Sequence, residues 1–241
     1  MKLFITSSPF VDGADRAIMD PQNGLIHRLK QALPPYCRCL YICSSPDRRD
    51  LNCTFGADIF QIFAQEGMAF SHYTVLDGDN AYEAKKLVME SDLIVLAGGH
   101  VPTQNAFFHK IRLPDILKDY DGVVLGISAG SMNMADIVYA QPEEAGETAP
   151  EYERFIPGLG LTTCNVLPHY QKAKHYTVDG LQLYEQITLP DSMGHCFYAI
   201  PDGSYIYQDE AQKLLCGEGY CICDGKMFQL TSPGEILNLD R

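Results

Sequence analysis

Short apolar runs alternate with segments of helical spacing through the first half of the chain. The apolar runs predict strands at residues 2–7, 38–44, 72–76, 92–97 and 122–127. Apolar side chains that recur every three or four residues predict helices at residues 24–33, 54–67, 81–90 and 103–117. Strands that alternate with helices form a mainly parallel sheet, so we expect a three-layer α/β/α fold with helices on both faces of the sheet.

The second half of the chain has a different pattern. Residues 141–153 are polar, contain five glutamates and are interrupted by prolines, which predicts a loop. A strand is expected at residues 161–167 and a helix at residues 176–187. A Pro-Asp-Gly turn joins residues 197–200 to 204–208, and an Asp-Gly-Lys turn joins 220–223 to 227–230. These pairs predict antiparallel hairpins at one edge of the sheet.

The net charge of −13 disfavours two classes of partner. Nucleic acids and anionic membranes would both repel such a surface, and no apolar run approaches the ~18 residues of a membrane span. The amino terminus has the pattern of a first strand and not of a signal peptide. We therefore expect a cytoplasmic protein without nucleic acid or membrane partners, and we allow for a homodimer. The length suits one α/β domain, so residues 1–241 are expected to form a single domain.

Nine cysteines are spread through the chain, several of them in strand-like runs. The count is odd and the chain is not small, so a disulfide framework is not expected. No Cys-x-x-Cys pair occurs, which leaves a structural zinc site with little support. We expect buried, unreactive thiols, and we expect neither a metal nor an organic cofactor.

A serine follows the apolar run at residues 122–127. Ser128 lies between Gly126 and Gly130 in the pattern Gly-x-Ser-x-Gly. This pattern is typical of a sharp strand-to-helix turn that exposes a nucleophilic hydroxyl at the carboxyl end of a sheet. The first amides of the new helix would lie beside the hydroxyl, where they can stabilise an oxyanion. A tight turn in which Ser128 only caps the helix is the alternative.

A pair of glycines ends the preceding strand. Gly98 and Gly99 follow residues 92–97, and sites in parallel sheets lie at the carboxyl ends of the strands. Glycine lets the backbone approach a ligand closely. The N–H of one of these glycines and that of Ala129 can therefore form an oxyanion hole with two donors. The alternative is an ordinary turn, since Gly-Gly pairs are common.

A nucleophilic serine needs a base, and histidine is the usual one. His169 is placed best among the seven histidines, because it directly follows the expected strand at residues 161–167 and Pro168 holds it. His100 directly follows the Gly-Gly pair and is the competing candidate.

The base in turn needs an acid that orients it. Asp202 lies on the turn after another expected strand and is the first candidate. An aspartate in a Pro-Asp-Gly turn is usually only a turn former, so Asp209 and Glu210 are the next candidates for this role.

Four short motifs follow one another along the chain. They are Leu-Ala-Gly-Gly-His at residues 96–100, Gly-Ile-Ser-Ala-Gly at 126–130, Pro-His-Tyr at 168–170 and Ile-Pro-Asp-Gly-Ser at 200–204. This order resembles that of the serine peptidases of family S51, which include aspartyl dipeptidase (peptidase E) and cyanophycinase. The resemblance covers roughly residues 1–230.

The resemblance implies a fold like that of the class I glutamine amidotransferases, with serine in place of cysteine at the strand-to-helix turn. It implies Ser128 as the nucleophile, His169 as the base and Asp202 as the orienting acid, where the family often has glutamate. It also implies that the N–H groups of Gly99 and Ala129 form the oxyanion hole.

Two departures from the family bear on the substrate. His100 follows the Gly-Gly pair, where family members commonly have Asn-Thr. Members that act on acidic substrates usually carry arginines shortly after the histidine, whereas Lys172 and Lys174 are the only cations close behind His169. Candidate substrate-binding residues are therefore Gly98, His100, Lys172 and Lys174. Lysine does not pair bidentately with a carboxylate as arginine does, so specificity for Asp-Xaa dipeptides is not predicted.

The sequence therefore predicts a serine hydrolase that cleaves short peptides by a Ser-His-acid mechanism. A non-catalytic binding or regulatory protein that retains the fold is the alternative, favoured by the altered Gly-Gly motif and the missing arginines. A glutamine amidotransferase-like activity is less favoured, because residue 128 is serine. The glutamates at 141–153 either line the entrance, where they would attract a free amino terminus, or form a solvated loop.

Overall fold

The computed structural model describes residues 1–11 and 18–240. Within these ranges the strands are β1 (Lys2–Thr6), β2 (Cys37–Ile42), β3 (Phe70–Leu76), β4 (Leu93–Leu96), β5 (Val123–Ile127), β6 (Ile137–Tyr139), β7 (Phe155–Pro157), β8 (Asn165–Leu167), β9 (Thr177–Val178), β10 (Leu181–Gln182), β11 (Cys196–Ala199), β12 (Tyr205–Gln208), β13 (Lys213–Cys216), β14 (Gly219–Cys223), β15 (Lys226–Thr231) and β16 (Ile236–Asn238). The α-helices are α1 (Leu25–Ala32), α2 (Arg49–Gln65), α3 (Ala84–Met89), α4 (Val101–Lys110), α5 (Leu113–Leu117), α6 (Ala129–Met132), α7 (Tyr170–Ala173) and α8 (Leu189–Asp191). Short 3₁₀ helices occupy Gln22–Gly24 and Ala81–Glu83, and a π-helix covers Leu183–Thr188. None of the helices in these ranges is long and apolar enough to cross a membrane.

The largest sheet has eight strands in the order β16-β13-β12-β1-β5-β4-β2-β3. Strands β1, β5, β4, β2 and β3 are parallel, whereas β12, β13 and β16 extend the sheet beyond β1 as antiparallel strands. Every residue of β4 and β5 is buried, as expected for central strands of a parallel sheet that is covered on both faces. The structure thus confirms the predicted α/β fold, with a mainly parallel sheet and antiparallel strands at one edge.

A second sheet of four strands has the order β15-β14-β11-β8. Its side chains alternate between two apolar cores, which we call the main core and the second core. Val166 and Ile200 are buried in the main core with the strands of the largest sheet. Leu167, Phe197 and Ala199 are buried in the second core. Because successive side chains of a strand point to opposite faces, one face of this sheet covers the main core and the other closes the second core.

Residues 197–208 do not form the predicted hairpin. Strand β11 pairs with β8 and β14 in the second sheet, whereas β12 pairs with β1 and β13 in the largest sheet. The Pro-Asp-Gly segment at 201–203 therefore links the two sheets. The physical reason is burial, since Phe197 is buried in the second core and Tyr205 in the main core. The tail is thus divided between two sheets and is not simply appended to one edge.

The Asp-Gly hairpin and the helix expected at 176–187 have different outcomes. Strands β14 and β15 pair around Asp224 and Gly225, whose φ angles of 48° and 73° suit a two-residue turn. Asp179 and Gly180, with φ angles of 51° and 81°, form a similar turn between β9 and β10. Because of this turn, residues 177–178 and 181–182 form strands, and only the π-helix at Leu183–Thr188 is helical in the segment where a helix is predicted.

The cysteines are divided between thiols and one disulfide. Cys196 of β11 and Cys223 of β14 lie opposite each other in the antiparallel register and are joined by a disulfide bond. The expectation of thiols is therefore wrong for this pair, because strand pairing brings together residues that are far apart in sequence. The buried free cysteines are Cys37, Cys39, Cys43, Cys164 and Cys216, while Cys53 is exposed and Cys221 is partly buried.

Candidate active site

The turn at Ser128 is a strained connection between β5 and α6. Ser128 has φ 51° and ψ −114°, a conformation that non-glycine residues rarely adopt. A Cβ atom at Gly126 would lie 2.7 Å from the backbone of Ser131, and one at Gly130 would lie 2.8 Å from the carbonyl oxygen of Ala97. The two glycines are therefore required by the packing of the turn, as the Gly-x-Ser-x-Gly pattern predicts.

The hydroxyl of Ser128 contacts the predicted base. His169 Nε2 lies 2.8 Å from Ser128 Oγ, and His169 Nδ1 lies 2.7 Å from Oδ1 of Asp202. His169 follows β8 and has φ 58°, while Asp202 lies on the link between β11 and β12. With the proton on Nδ1, the imidazole donates to the carboxylate and accepts from the serine hydroxyl. Three residues that lie far apart in sequence thus form one continuous chain of hydrogen bonds.

The carboxylate of Asp202 is almost enclosed, with 7% of its side chain exposed. Besides the imidazole, Oδ1 accepts hydrogen bonds from the hydroxyl of Ser7 (2.7 Å) and the backbone N–H of Ser8 (3.0 Å). Oδ2 accepts from the amide of Gln171 (2.5 Å) and the ammonium group of Lys172 (3.2 Å). Five donors therefore hold the carboxyl group in one orientation.

These contacts decide the charge of Asp202. Burial alone raises the pKa of the carboxyl group. Hydrogen bonds from His169, Ser7 and Gln171, together with the charge of the imidazole, lower the pKa by more than burial raises it. The resulting pKa lies well below the ordinary value of an aspartate. Asp202 is consequently a carboxylate at neutral pH, and it can stabilise an imidazolium beside it.

Gly99 and Ala129, the two predicted oxyanion donors, both lie beside Ser128. Gly99 lines the same pocket as Ser128, and a Cβ at this position would lie 2.5 Å from Cβ of Ser44. Ala129 is the first residue of α6, where backbone N–H groups have no partner within the helix. Among residues 1–11 and 18–240, no acceptor is bonded to the N–H of Gly99 or of Ala129. Both donors are therefore available for an oxyanion.

A pocket of about 540 Å³ opens beside Ser128 and His169. Its apolar lining includes Met132, Pro142, Ala173, Val178 and Leu183. Its polar lining includes Gln141, Glu143, His175, Tyr176 and Thr177. The described residues that line it include neither lysine nor arginine. The pocket can hold a short, largely uncharged group and presents one carboxylate to it.

His100 contacts Thr103 and Glu147 and not the serine. Its Nε2 lies 2.7 Å from Oε1 of Glu147, and its Nδ1 lies 2.8 Å from Oγ1 of Thr103. Oε2 of Glu147 accepts the backbone N–H groups of Glu143 (2.7 Å) and Glu144 (3.0 Å). The competing base of the sequence analysis therefore anchors the glutamate loop, while the structure places His169 at the serine.

The carboxyl group of Glu143 has an unusual environment. Burial raises its pKa, His100 lowers it, and Glu147 raises it again, so that the pKa stands at about 7. This value makes Glu143 a group that changes charge near neutral pH. Glu143, Glu151 and Glu153 are all exposed. Of the two interpretations of residues 141–153, the structure favours an entrance lining for Glu143, which lines the pocket, whereas Glu151 and Glu153 do not line it.

The remaining candidate residues lie near the site in different roles. A Cβ at Gly98 would lie 3.5 Å from Cβ of Ser128, so this glycine flanks the turn. Lys172 contacts Asp202, and Nζ of Lys174 lies 5.4 Å from the ring centre of Tyr170. Neither lysine lines the pocket, so the structure gives no support to their predicted contact with substrate.

Asp209 and His100 also fall outside the hydrogen-bonded chain. Asp209, the reserve candidate for the acid, accepts a hydrogen bond of 2.7 Å from the hydroxyl of Tyr207. Among the described residues, His100, Glu144 and Glu147 form the one group that could hold a metal ion. The mutual hydrogen bond of His100 and Glu147 accounts for their proximity without a metal.

Ser7 and Gln171 contact the active-site residues but are not among the residues that the sequence patterns predict. Ser7 directly follows β1, whose carboxyl end adjoins that of β5, and the rule that sites lie at such strand ends could have drawn attention to it. Gln171 had no comparable signal, because its contact with Asp202 depends on the pairing of β8 with β11.

Comparison with known proteins shows the family of the chain and supports its fold. The model of peptidase family S51 matches residues 50–215, and the chain belongs to this family. The protein is therefore a peptidase, and its family supports a serine peptidase. A solved structure of a candidate peptidase E protein from Listeria monocytogenes EGD-e has a TM-score of 0.57 and 13% sequence identity, and the match covers 95% of this chain and 98% of that one. This similarity supports the fold alone. No curated protein matches the chain.

Proposed function

We propose that the protein is a serine peptidase that hydrolyses short peptides, with Ser128 as the nucleophile, His169 as the general base and Asp202 as the orienting acid. One observation carries the proposal. Ser128 Oγ, His169 and Asp202 Oδ1 form an unbroken chain with contacts of 2.8 and 2.7 Å at the edge of an open pocket. This is the arrangement that activates a serine hydroxyl in unrelated hydrolases.

The steps of the reaction follow from the positions of these groups. Oγ of Ser128 attacks the carbonyl carbon of the peptide bond while its proton passes to Nε2 of His169. The N–H groups of Gly99 and Ala129 stabilise the oxyanion. The tetrahedral intermediate then expels the amine, which receives the proton from His169. Water attacks the resulting ester with His169 as the base, which releases the carboxylic acid and restores the serine.

The chemistry of the pocket supports a substrate with a free amino terminus. Glu143 presents a carboxylate that attracts an ammonium group. An acidic side chain of the substrate would find no lysine or arginine among the described lining residues and would be repelled by Glu143. Met132, Val178 and Leu183 instead suit a neutral or apolar side chain. Peptides of this kind, and not Asp-Xaa dipeptides, are the substrates that we propose.

Labelling with a fluorophosphonate probe tests the nucleophile and the base. Intact-mass spectrometry is expected to show one adduct on the wild-type protein and none on Ser128→Ala. His169→Ala should slow labelling by orders of magnitude, because an unassisted serine is a weak nucleophile at neutral pH. The matched control, His100→Ala, should retain labelling. An adduct that persists in Ser128→Ala would refute the assignment, and an unlabelled wild-type protein would favour a non-catalytic binding protein.

A further inference from the structure

Ser7 contacts all three residues of the proposed active site. It follows β1 and its relative exposure is 0%. Its carbonyl oxygen accepts the backbone N–H of Ser128 at 2.9 Å. Its hydroxyl accepts the backbone N–H of His169 at 2.7 Å and donates to Oδ1 of Asp202 at 2.7 Å. The O–H donor and one of the two acceptor lone pairs of the hydroxyl are thus used on active-site residues.

These contacts join two separate sheets. Ser128 follows β5, which pairs directly with β1 in the largest sheet. His169 and Asp202 follow β8 and β11, which pair with each other in the second sheet. The side chain of Ser7 therefore reaches from the sheet that carries the nucleophile to the sheet that carries the base and the acid.

The bond to His169 acts on the backbone of the base. His169 has φ 58°, a conformation that costs free energy for a residue with a side chain and persists only where neighbouring contacts hold it. The backbone N–H of His169 is bonded to the Ser7 hydroxyl at this point. Without that acceptor, a partly buried donor loses its partner, and the imidazole loses a constraint on its position beside Ser128.

We propose that Ser7 is a positioning residue that holds the imidazole of His169 and the carboxylate of Asp202 in the correct position relative to Ser128. This inference rests on the proposed function, since it concerns the same reaction. Ser7 does not touch the substrate and takes no proton. It acts through His169 and Asp202.

Ser7→Ala and its neighbour Ser8→Ala form a matched pair of variants. Among residues 1–11 and 18–240, the hydroxyl of Ser8 accepts only the N–H of Phe10, at 3.3 Å. The contact of Ser8 with Asp202 uses the backbone N–H, which alanine retains. Ser7→Ala should lower the rate of fluorophosphonate labelling and kcat roughly 10- to 100-fold with little change in KM, because small misplacements of catalytic groups have effects of this size. Ser8→Ala should stay within about twofold of the wild-type protein, since it removes no contact with the active-site groups.

The pH profile separates a positioning role from a general loss of structure. A carboxylate that accepts one hydrogen bond fewer attracts the imidazolium proton more strongly. The acidic limb of the kcat profile, which is separate from the effect of Glu143 on KM, should therefore move to higher pH in Ser7→Ala and remain in place in Ser8→Ala. Ser7→Cys, which keeps a weaker donor of similar size, should give intermediate labelling rates, and it serves if Ser7→Ala does not fold.

A readout without turnover keeps this test independent of the peptidase assignment. The proton between Nδ1 of His169 and Asp202 should give a downfield proton resonance, assigned by its loss in Asp202→Asn. This resonance should broaden or shift in Ser7→Ala and stay unchanged in Ser8→Ala. Wild-type labelling rates together with an unchanged resonance in Ser7→Ala would overturn the inference. If the wild-type protein is not labelled, the proposed function fails, and the resonance still decides whether Ser7 positions His169.

Discussion

The turn at Ser128 and the pair formed by His169 and Asp202 are held in place by different means. The turn is determined by backbone packing, because Cβ atoms at Gly126 and Gly130 would collide with neighbouring backbone. The pair is determined by side-chain hydrogen bonds that cross from one sheet to the other, from Ser7 to Asp202 and His169 and between His169 and Ser128. The comparison teaches that the nucleophile depends on local geometry, whereas the base and acid depend on the packing of two distant parts of the chain.

The largest effect is expected from disrupting the pair of His169 and Asp202, which we call the second region, with Asp202→Asn; the turn at Ser128 is the first region. The amide cannot hold the proton on Nδ1 as the carboxylate does, so kcat should fall by roughly 10³- to 10⁴-fold with the fold intact. Steady-state kinetics measures kcat, and circular dichroism checks that the fold is intact. Asp209→Asn is the matched control and should remain near wild-type activity. A fall of less than about tenfold, ~1.4 kcal/mol, for Asp202→Asn would reduce Asp202 to a turn former.

The first region is best broken through its backbone, with Gly130→Ala. The added Cβ meets the carbonyl groups of Leu96 and Ala97, and overpacking of this kind costs roughly 1–3 kcal/mol of the free energy of unfolding. Denaturant titration should therefore show lower stability together with lost activity. Gly98→Ala, whose Cβ would meet its neighbours at 3.5 Å, is the control and should unfold near the wild-type midpoint. Equal midpoints for both variants would contradict the collision.

A panel of peptides tests the pocket that lies between the two regions. Peptides with Asp, Ala, Leu or Lys at the first position are compared with their amino-acetylated forms. Acetylation should lower kcat/KM about tenfold, ~1.4 kcal/mol, because it removes the charge that Glu143 attracts. The effect should vanish in Glu143→Gln and persist in Glu153→Gln, a change at an exposed position of the same loop. A preference for Asp-Xaa above about a hundredfold, ~2.7 kcal/mol, would contradict the proposed substrate class.

The smallest expected effect is a pH dependence of KM. The pKa of Glu143 is raised to about 7, so its carboxyl group becomes neutral as the pH falls through that value. The amino group of a peptide loses its charge above about pH 8. Attraction between them is therefore strongest between about pH 7 and 8, and KM should rise several-fold on either side of this window. A KM that keeps the same pH dependence in Glu143→Gln would show that another group is responsible.

The sequence predicts the first region better than the second. The strands of the parallel sheet and the turn at Ser128 are visible in local patterns, because each strand is a short apolar run and the glycines flank the serine directly. The local pattern predicts a hairpin at Asp202, since the turn residues favour one and nothing local shows that β11 and β12 are buried in different cores. The disulfide of Cys196 and Cys223 and the contacts of Ser7 and Gln171 depend on the same long-range pairing.

Side chains of β8 and β11 are buried alternately in the main core and the second core, and this arrangement has a consequence for how activity can be lost. Proteins open in cooperative units, some at a lower cost in free energy than global unfolding. An opening that releases the second sheet would carry His169 and Asp202 away from Ser128 and leave the parallel strands folded. Hydrolysis would then cease while most of the secondary structure persists. Recovery would require only that the sheet close again, so inactivation of this kind is reversible and proceeds without refolding of the whole chain.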